Sequence, residues 1–495
     1  MKKYIISIDS GTTSVRTLII DQQTNVYSLA QKEFTQYFPH LGWVEHDADE
    51  LYASQFSTMV QAMQQKNLKA EQIEAIGITN QRETIVIWDK NTGIPIYNAI
   101  VWQDRRTTKY CEKLQENEEL KVKIHDKTGL LIDPYFSGTK IKWMLDHIEG
   151  ARAKAEAGEL LFGTIDTWII WKLTNGDVHA TDFTNASRTL LFNIKTKKWD
   201  DELLKIFDIP KSILPKVLNS SDDFGEITSG IYKGIKIRSA IGDQQSSMFG
   251  HRVKSGELKG TYGTGAFLIL NTGEDYISSE NGLITTIGLG LNGKITYALE
   301  GSIYVAGSAL KWLKEEMYLI HDYKQIDYYV ENYDPSSGVY VVPFFVGAGA
   351  PYWNSHARGM FTGLTRATNR ADIVAGTAIS IALQTYDIFK IFEKDYGDSI
   401  NKMFIDGGVT KGEELMQFTA DLLDRRLFKQ KSQEITALGA AYLAGLYTGF
   451  WKNENELDKN IEYKTIFYPV MTDTERKNIT KGWDAAVKAA LTWES

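Results

Sequence analysis

The chain has 495 residues, of which 43% are hydrophobic and 24% are charged. This composition is ordinary for globular proteins and unlike that of disordered chains, so the length predicts two to four domains, or two large ones. The formal net charge of -8 argues against a general binding surface for nucleic acid or for an anionic membrane. Any phosphate that the protein binds must therefore be held by a local site.

The single cysteine, Cys111, excludes an intramolecular disulfide and a zinc site built on cysteines. The N-terminus begins with basic residues but reaches Asp9 too soon for a signal peptide. No run approaches the roughly 18 uninterrupted apolar residues of a membrane span. We therefore expect a cytoplasmic protein that does not insert into membranes.

The N-terminal half begins with three short β-rich runs separated by turn residues, which predicts an antiparallel meander. Apolar residues between positions 52 and 63 then recur at helical spacing. A strand is predicted at Ile73–Thr79 and a helix at Ser137–Ile148. The three strands of the meander are predicted at Tyr4–Asp9, Val15–Ile20 and Val26–Glu33.

A similar pattern restarts near residue 255, which predicts two α/β halves with domains at residues 1–250 and 251–495. The second half opens with a strand at Glu257–Tyr262, a Gly263-Thr264-Gly265 turn and a strand at Ala266–Asn271. Further strands are predicted at Gly338–Pro343 and Lys402–Asp406. The predicted helices are Gly301–Met317, Ala371–Phe392, Gly412–Leu423 and Thr436–Leu446.

The turn after the first strand is the strongest local signal for phosphate binding. An apolar strand ends in Asp9, and residues 10–14 then combine a glycine with hydroxyl side chains. Consecutive backbone N–H groups in such a turn can bind phosphate oxygens, and the carboxylate is suited to Mg²⁺. The alternative is an ordinary hairpin turn rich in Gly and Thr, but the similar turn at residues 263–265 favours a phosphate site.

Gly407-Gly408, between a strand and a helix, could pass close to a nucleotide base, although alone it is more typical of a simple turn.

One apparent nucleotide motif is rejected. Residues 288–294 have the spacing of a P-loop up to Lys294, but Ile295 stands where Ser or Thr is needed. Residues Lys294–Leu299 read as a strand, so Asn292-Gly293 is predicted to be a hairpin turn.

Three polar clusters supply candidate acceptor-binding residues. Arg82 and Glu83 follow a predicted strand, where they could present donors and acceptors to hydroxyl groups, or could form a solvated ion pair. Asp243 and Gln244 follow another short strand, and Asp243 is the acid that we expect between acceptor and phosphate. Trp102 could pack on a carbon backbone, although a tryptophan is more often part of the core.

Several segments resemble the glycerol kinase family. Their turns are shared with the wider FGGY carbohydrate kinases and the actin-like ATPase superfamily, whereas Asn80–Glu83 and Asp133–Tyr135 are specific to glycerol kinases. Xylulokinase-like relatives would carry Gly-Gln-Met-His-Gly near Asn80–Thr84, which this chain lacks. The resemblance covers essentially the whole chain, in the segments Asp9–Arg16, Ile78–Thr84, Ile132–Lys140, Gly242–Gln245, Thr261–Gly265, Gly349–Trp353, Asp406–Gly408 and Thr436–Tyr442.

The resemblance implies two actin-like (ribonuclease H-like) domains with mixed sheets flanked by helices and a cleft between them. It implies that ATP phosphorylates glycerol to sn-glycerol 3-phosphate, the first step of glycerol catabolism, with Asp243 as catalytic base and Mg²⁺ near Asp9 and Asp243. The glycerol-binding residues it implies are Arg82, Glu83, Trp102, Tyr135, Asp243, Gln244 and Phe267. The nucleotide-binding residues it implies are Thr12, Thr13, Ser14, Arg16, Thr264, Gly307, Lys311, Gly408 and Gly412.

Two departures from the family pattern concern the adenosine end of the nucleotide. Lys311 stands where the family usually carries glutamine, and Gly412 where it often carries asparagine. The family commonly forms dimers or tetramers, so a homo-oligomer is expected. The alternatives are an FGGY kinase for another polyol or ketose, and an actin-like ATPase without a metabolic acceptor.

Overall fold

The structure is a computed structural model that describes residues 2–354 and 356–493. The chain divides into two compact units, and the first long segment of unit 1 ends at Arg252, two residues beyond the predicted boundary at 250. Two later segments, Thr285–Tyr297 and Glu434–Ile461, also belong to unit 1, so each unit is discontinuous in sequence. No helix among the described residues is long and apolar enough to cross a membrane.

Unit 1 is built on a five-stranded mixed sheet. The predicted meander is confirmed, because the first strand pairs antiparallel with the second and the second with the third. The first strand also pairs in parallel with Ile73–Asn80, which in turn pairs in parallel with Ile237–Gly242. The strands lie in the order Ile237–Gly242, Ile73–Asn80, Tyr4–Ser10, Ser14–Ile20 and Val26–Glu33.

The first strand is buried on both faces, because alternate side chains enter two different cores. Ile6 and Ile8 join the core that also contains Met59 of helix Ala48–Gln64, which packs on this sheet. Ile5 joins the core formed with helix Ile435–Thr448 on the other face. The sheet therefore lies between helices, as expected for a parallel core.

Unit 2 repeats this strand pattern. Leu258–Tyr262 pairs antiparallel with Ala266–Gly273 and in parallel with Lys402–Asp406, which pairs in parallel with Arg426–Gln430. Tyr463–Phe467 adds antiparallel to the last of these strands. Helix Arg370–Tyr396, begun by a capping box at Asn369 and ended at Gly397, supplies much of the unit 2 core.

The hairpin expected at Asn292-Gly293 is confirmed. It joins strands Ile284–Leu291 and Lys294–Ile303, and both turn residues have positive φ, 53° and 76°, as a type I′ turn requires. The predicted helix Gly301–Met317 is wrong at its start. The chain stays in the strand to Ile303, and the helix spans only Gly307–Glu315.

The remaining elements connect and cover these sheets. In residues 2–252 the further strands are Glu45–His46, Ile85–Asp89, Ala99–Ile100, Leu160–Thr164, Ala180–Asp182, Phe192–Asn193, Lys198–Trp199 and Lys216–Leu218. The further helices there are Thr108–Gln115, Glu118–Thr128, Ser137–His147, Ala151–Glu156, Ile165–Leu173, Phe183–Ala186, Asp201–Phe207 and Asp243–Gly250. Beyond residue 252 the further strands are Tyr340–Val342 and Met360–Thr362, and the further helices are Gln325–Glu331, Glu413–Leu423, Glu454–Asp458 and Asp473–Leu491.

Candidate active site

Arg82 and Glu83 lie in the turn that follows strand Ile73–Asn80, and both side chains are buried. Glu83 has a φ of 59°, a left-handed backbone conformation that is uncommon for residues other than glycine. Such conformations cost about 1–3 kcal/mol and cluster at functional sites. The backbone therefore holds the Glu83 carboxylate in an orientation that a relaxed turn would not give.

Charged and polar groups from three segments meet around Arg82. Its Nε lies 3.4 Å from Asp243 Oδ1 and 3.8 Å from Glu83 Oε1. Its Nη1 donates to Gln245 Oε1 at 3.2 Å, and its Nη2 donates to the Tyr135 hydroxyl at 3.3 Å. The structure thus brings together four of the predicted acceptor residues, Arg82, Glu83, Tyr135 and Asp243.

Arg188 is a member of this cluster that the sequence did not indicate. It is fully buried, and its Nε donates to Glu83 Oε1 at 2.5 Å. Its guanidinium also lies 5.5 Å from the Tyr135 ring centroid, within the range of a cation–π contact. Arg188 therefore fixes Glu83 and Tyr135 at once.

Tyr135 is positioned by a second buried cation, Lys140. The ammonium group donates to the carbonyl oxygens of Pro134, Tyr135 and Phe136 at 2.9, 2.6 and 2.9 Å. Burial lowers the pKa of Lys140 to about 7, although nearby carboxylates partly oppose this. Trp102 lies beside Tyr135, with ring centroids 5.6 Å apart at 67°.

Asp243 is the first residue of helix Asp243–Gly250, directly after the end strand of the unit 1 sheet. Its Oδ1 accepts from the backbone N–H of Gln244 at 2.7 Å. The N-terminal end of a helix favours the ionised carboxylate. Because 28% of the side chain remains exposed, the carboxylate is accessible to a bound molecule.

The turn at residues 11–14 is closed by a hydrogen bond from Gly11 N to Ser14 O at 3.1 Å. Ser14 Oγ accepts from Gln31 Nε2, and Arg16 Nη1 lies 3.1 Å from Glu434 Oε2. Thr12 is partly exposed and Thr13 is exposed, so their hydroxyls are open to a ligand. Arg16 lies opposite Asp9 in the antiparallel register.

Asp9 carries an electrostatic cost that a bound cation would relieve. Burial raises the pKa of its carboxyl to about 6; Arg16 opposes the shift, and the charges of Asp243 and Glu434 add to it. No cluster of three or more potential metal-ligating side chains exists among residues 2–354 and 356–493. Mg²⁺ commonly uses only one or two carboxylates together with substrate phosphates, so Asp9 and Asp243 fit that ion.

Unit 2 contains a cavity of about 690 Å³. All five predicted nucleotide residues of this unit line it, namely Thr264, Gly307, Lys311, Gly408 and Gly412. Phe267, predicted to contact the acceptor, lies in strand Ala266–Gly273 opposite Thr261 and is partly buried. The cavity combines apolar walls with charged side chains, which suits a flat base attached to a charged group. The full lining is Gly263, Thr264, Gly307, Ser308, Leu310, Lys311, Asp322, Tyr323, Lys324, Ile326, Asp327, Gly408, Val409, Lys411, Gly412 and Leu415.

Glycines at two points of the cavity have different roles. A Cβ on Gly307 would lie 2.5 Å from the Gly263 carbonyl oxygen, so glycine is needed there for the chain to pass. A Cβ on Gly408 would meet no protein atom within 4 Å.

Lys311 is largely exposed and lies 3.5 Å from Glu315. Its ammonium is thus shared with a surface carboxylate rather than buried in the cavity.

Comparisons with known proteins identify related chains over the full length. Residues 4–250 match the N-terminal domain of the FGGY family of carbohydrate kinases, and residues 258–447 match its C-terminal domain. A glycerol kinase of Fusobacterium nucleatum is 52% identical, over 99% of this chain and 100% of the relative. A glycerol kinase of Haemophilus influenzae is 50% identical, over 99% and 98% of the two chains.

Solved structures show the same fold. The structure of Plasmodium falciparum glycerol kinase with ADP has a TM-score of 0.93 and 37% identity, and 99% of each chain is covered. Xylulose kinase from Lactobacillus acidophilus has a TM-score of 0.88 at 21% identity, over 98% of this chain and 97% of that one. At that lower identity the likeness concerns the fold alone. The expected fold class is confirmed.

Proposed function

The chain belongs to the FGGY family of carbohydrate kinases, and we propose that it is a glycerol kinase that transfers the γ-phosphoryl group of ATP to glycerol. The products are sn-glycerol 3-phosphate and ADP. Relatives of about 50% identity over the whole chain carry the name glycerol kinase, which supports the choice of acceptor.

The observation that carries the proposal is the buried charged cluster around Arg82. A buried guanidinium within 3.4 Å of one carboxylate and 3.8 Å of another offers donors and acceptors at fixed positions. Hydroxyl groups both donate and accept, so a small polyol can satisfy both kinds of group. Trp102 and Tyr135 would pack on its carbon atoms. Gln244 completes the proposed acceptor set of unit 1, and Phe267 is the acceptor contact that we propose in unit 2.

In the proposed mechanism, Asp243 orients the attacking hydroxyl of glycerol and accepts its proton. Phosphoryl transfer passes through a loose transition state, so positioning and charge stabilisation supply most of the acceleration. A carboxylate is too weak a base to remove an alcohol proton in advance, and the proton therefore moves late in the transfer. Arg82 holds the Asp243 carboxylate in place throughout.

We propose a set of nucleotide-binding residues in each unit. Thr12, Thr13, Ser14 and Arg16 of unit 1 would bind phosphate oxygens through hydroxyl, backbone N–H and guanidinium groups, and Thr264 of unit 2 would do the same. Gly307, Lys311, Gly408 and Gly412 would lie along the adenosine. We accordingly assign glycerol and phosphate binding to the domain at residues 1–250 and nucleotide binding to the domain at residues 251–495.

Mg²⁺ would be held by Asp9 and Asp243. When bound, the ion would neutralise charge on the phosphate oxygens. The raised pKa of Asp9 supports this assignment, because a cation nearby would favour the ionised carboxylate. Arg16, opposite Asp9, would restrain the same carboxylate.

The alternative acceptors are other polyols and ketoses, and the alternative activity is acceptor-independent ATP hydrolysis. An acceptor panel at fixed Mg-ATP separates them, with glycerol, dihydroxyacetone, xylitol, xylulose and gluconate compared by ADP release. We expect the highest kcat/KM for glycerol. A higher value for a ketose or for gluconate would move the chain to another FGGY activity, and equal ADP release without an acceptor would support an ATPase.

We further propose that the enzyme works in the cytoplasm as a homodimer or homotetramer. The single cysteine, Cys111, is buried, and burial raises its thiol pKa to about 12, which suits a protein that needs no disulfide. Sedimentation equilibrium with and without glycerol would test the oligomeric state, since a purely monomeric species would contradict it.

A further inference from the structure

Four hydrogen bonds join the turn at residues 11–14 to Trp102, the proposed acceptor contact. The peptide bond between Gly11 and Thr12 closes them into a ring. Gln81 Nε2 donates to Gly11 O at 2.9 Å, and Gln81 Oε1 accepts from Thr84 Oγ1 at 2.9 Å. Thr84 Oγ1 accepts from Trp102 N at 3.2 Å, and Trp102 Nε1 donates to Thr12 Oγ1 at 2.9 Å. All five residues belong to unit 1.

The Gln81 and Thr84 side chains of this ring are buried, and the orientation of the Gln81 amide is fixed. Gln81 is 1% exposed and Thr84 is fully buried. His46 Nδ1 lies 3.5 Å from Gln81 Nε2, while His46 Nε2 lies 2.7 Å from Gln36 Oε1. Burial lowers the pKa of His46 to about 3, so the ring nitrogen facing Gln81 is an acceptor and the Gln81 amide has one orientation. Buried networks in which every member is satisfied are rigid.

The contact between Trp102 and Thr12 has a direct consequence for phosphate binding. The Thr12 oxygen accepts the indole N–H, which leaves its own O–H proton to donate elsewhere. A phosphate oxygen is the acceptor that the turn at residues 11–14 is suited to receive. The position of the Trp102 ring and the direction of the Thr12 hydroxyl are therefore set together.

We propose that Gln81 and Thr84 are positioning residues that couple acceptor binding to phosphate binding, so that glycerol and ATP each bind more tightly when the other is present. This inference rests on the proposed function, because it takes Trp102 as an acceptor contact and Thr12 as a phosphate contact. Neither Gln81 nor Thr84 needs to touch a substrate. Coupling between sites is reciprocal, so the gain in affinity must be equal in both directions.

The test measures glycerol affinity by calorimetry, alone and with a saturating non-hydrolysable ATP analogue plus Mg²⁺. We expect the wild type to bind glycerol at least about 5-fold more tightly with the analogue. Thr84→Val keeps the shape but removes the hydroxyl, and the gain should fall below about 2-fold. Thr84→Ser restores the hydroxyl and should restore the gain. Adenosine, which has no phosphate for Thr12, should produce no gain in any variant.

Two further variants keep the test decisive. Trp102→Phe retains an aromatic ring but lacks the indole N–H, and it must also lose the increase in glycerol affinity. If Thr84→Val does not fold, an undiminished increase in Trp102→Phe would by itself overturn the proposal. Thr107→Val is the matched control, because Thr107 is also a buried threonine of unit 1, bonded to Thr139 Oγ1 at 2.9 Å outside the ring. It should keep the full gain.

Three results would overturn the coupling role. These are independent binding of glycerol and the analogue to the wild type, an undiminished gain in Thr84→Val or Trp102→Phe, and an equal loss in Thr107→Val. Failure of the proposed function is a different result, namely wild-type protein that neither binds nor phosphorylates glycerol.

Discussion

The two units share one strand pattern but differ in the residues at equivalent positions. In unit 1, Asp9 lies opposite Arg16 in the antiparallel register and opposite Thr79 in the parallel register. In unit 2, the corresponding residue is Thr261, which lies opposite Phe267 and Asp406. The charged pair of the first unit is therefore replaced by a neutral pair in the second.

The same contrast continues past the strand ends. Strand Ile73–Asn80 of unit 1 runs into Gln81, Arg82 and Glu83, whereas strand Lys402–Asp406 of unit 2 runs into Gly407 and Gly408. Charged side chains are what proton and phosphoryl transfer require, and small residues leave room for a flat ligand. By our proposal, one backbone arrangement thus supports phosphoryl transfer in unit 1 and nucleotide binding in unit 2.

The largest effect is expected from removing the proposed catalytic base of unit 1, Asp243. Asp243→Asn keeps the shape of the side chain but cannot accept a proton, so kcat should fall by about 10³-fold. Glycerol binding, measured by calorimetry, should change by less than about 5-fold. Asp201→Asn is the control, because Asp201 is exposed and pairs with surface Lys211. Near-wild-type turnover of Asp243→Asn would refute the assignment.

The next largest effect is expected at the proposed acceptor site. Glu83→Gln removes the charge that faces Arg82 and the fully buried Arg188. Loss of a charged hydrogen bond to a substrate hydroxyl costs about 1.5–3 kcal/mol, so the KM for glycerol should rise about 10- to 100-fold while the KM for ATP changes little. A lower Tm is also expected, since Arg188 is left as a buried charge. An unchanged glycerol KM would remove Glu83 from the acceptor site.

Asp9 tests the electrostatic difference between the units. Its folded pKa of about 6 is above the ordinary value of 3.8, so the folded state binds the proton more tightly and stability falls as pH rises from about 4 to about 6. Asp9→Asn removes this cost and should stabilise the protein by about 2–3 kcal/mol at pH 7.5. The gain should vanish near pH 4.

Chemical denaturation in EDTA at the two pH values measures this effect, and added Mg²⁺ should then stabilise the wild type more than Asp9→Asn. The variant should lose activity despite its greater stability. A variant less stable than the wild type at pH 7.5 would contradict the charge cost at this position.

The smallest effect is expected in unit 2. Gly408→Ala adds a methyl group that meets no protein atom, so stability should not change. If adenosine lies against this residue, the KM for ATP should rise about 3-fold, as expected when one methyl group crowds a bound base. Ser308→Ala, a substitution on the same cavity, serves as the comparison. Gly397→Ala is not used, because Gly397 has a positive φ that alanine does not readily adopt. No change in ATP affinity for Gly408→Ala would move the base elsewhere.

Local sequence patterns predicted many of the strands and helices, because the residues that determine these elements are close together in the sequence. The meander at residues 4–33 and the hairpin at Asn292-Gly293 follow from alternation and turn residues. The helix predicted from Gly301 was misplaced, because the run to Ile303 continues a strand whose apolar residues also fit helical spacing. The pattern of helix Ile435–Thr448 reveals an apolar element but not that it packs in unit 1.

The site was predictable where a polar cluster after a strand or a family motif marks the residue, as at Arg82, Tyr135 and Asp243, and not where a buried partner carries no such assignment. Arg188 meets Glu83 from 105 positions away, and Gln245 meets Arg82 from 163 positions away. Nothing in the local sequence marks Arg188, and Gln245 lies in a segment of family resemblance but was assigned no role. The left-handed backbone at Glu83 is also invisible in sequence, since it is imposed by the surrounding contacts rather than by a glycine.

The most direct test of the account is glycerol-dependent ADP release with the phosphorylated product identified. Purified wild-type protein with Mg-ATP should release ADP only when glycerol is present, with one glycerol 3-phosphate formed per ADP. The Asp243→Asn variant should release almost none. ADP release that is independent of glycerol, or a phosphorylated product from another acceptor in preference to glycerol, would contradict the central claim.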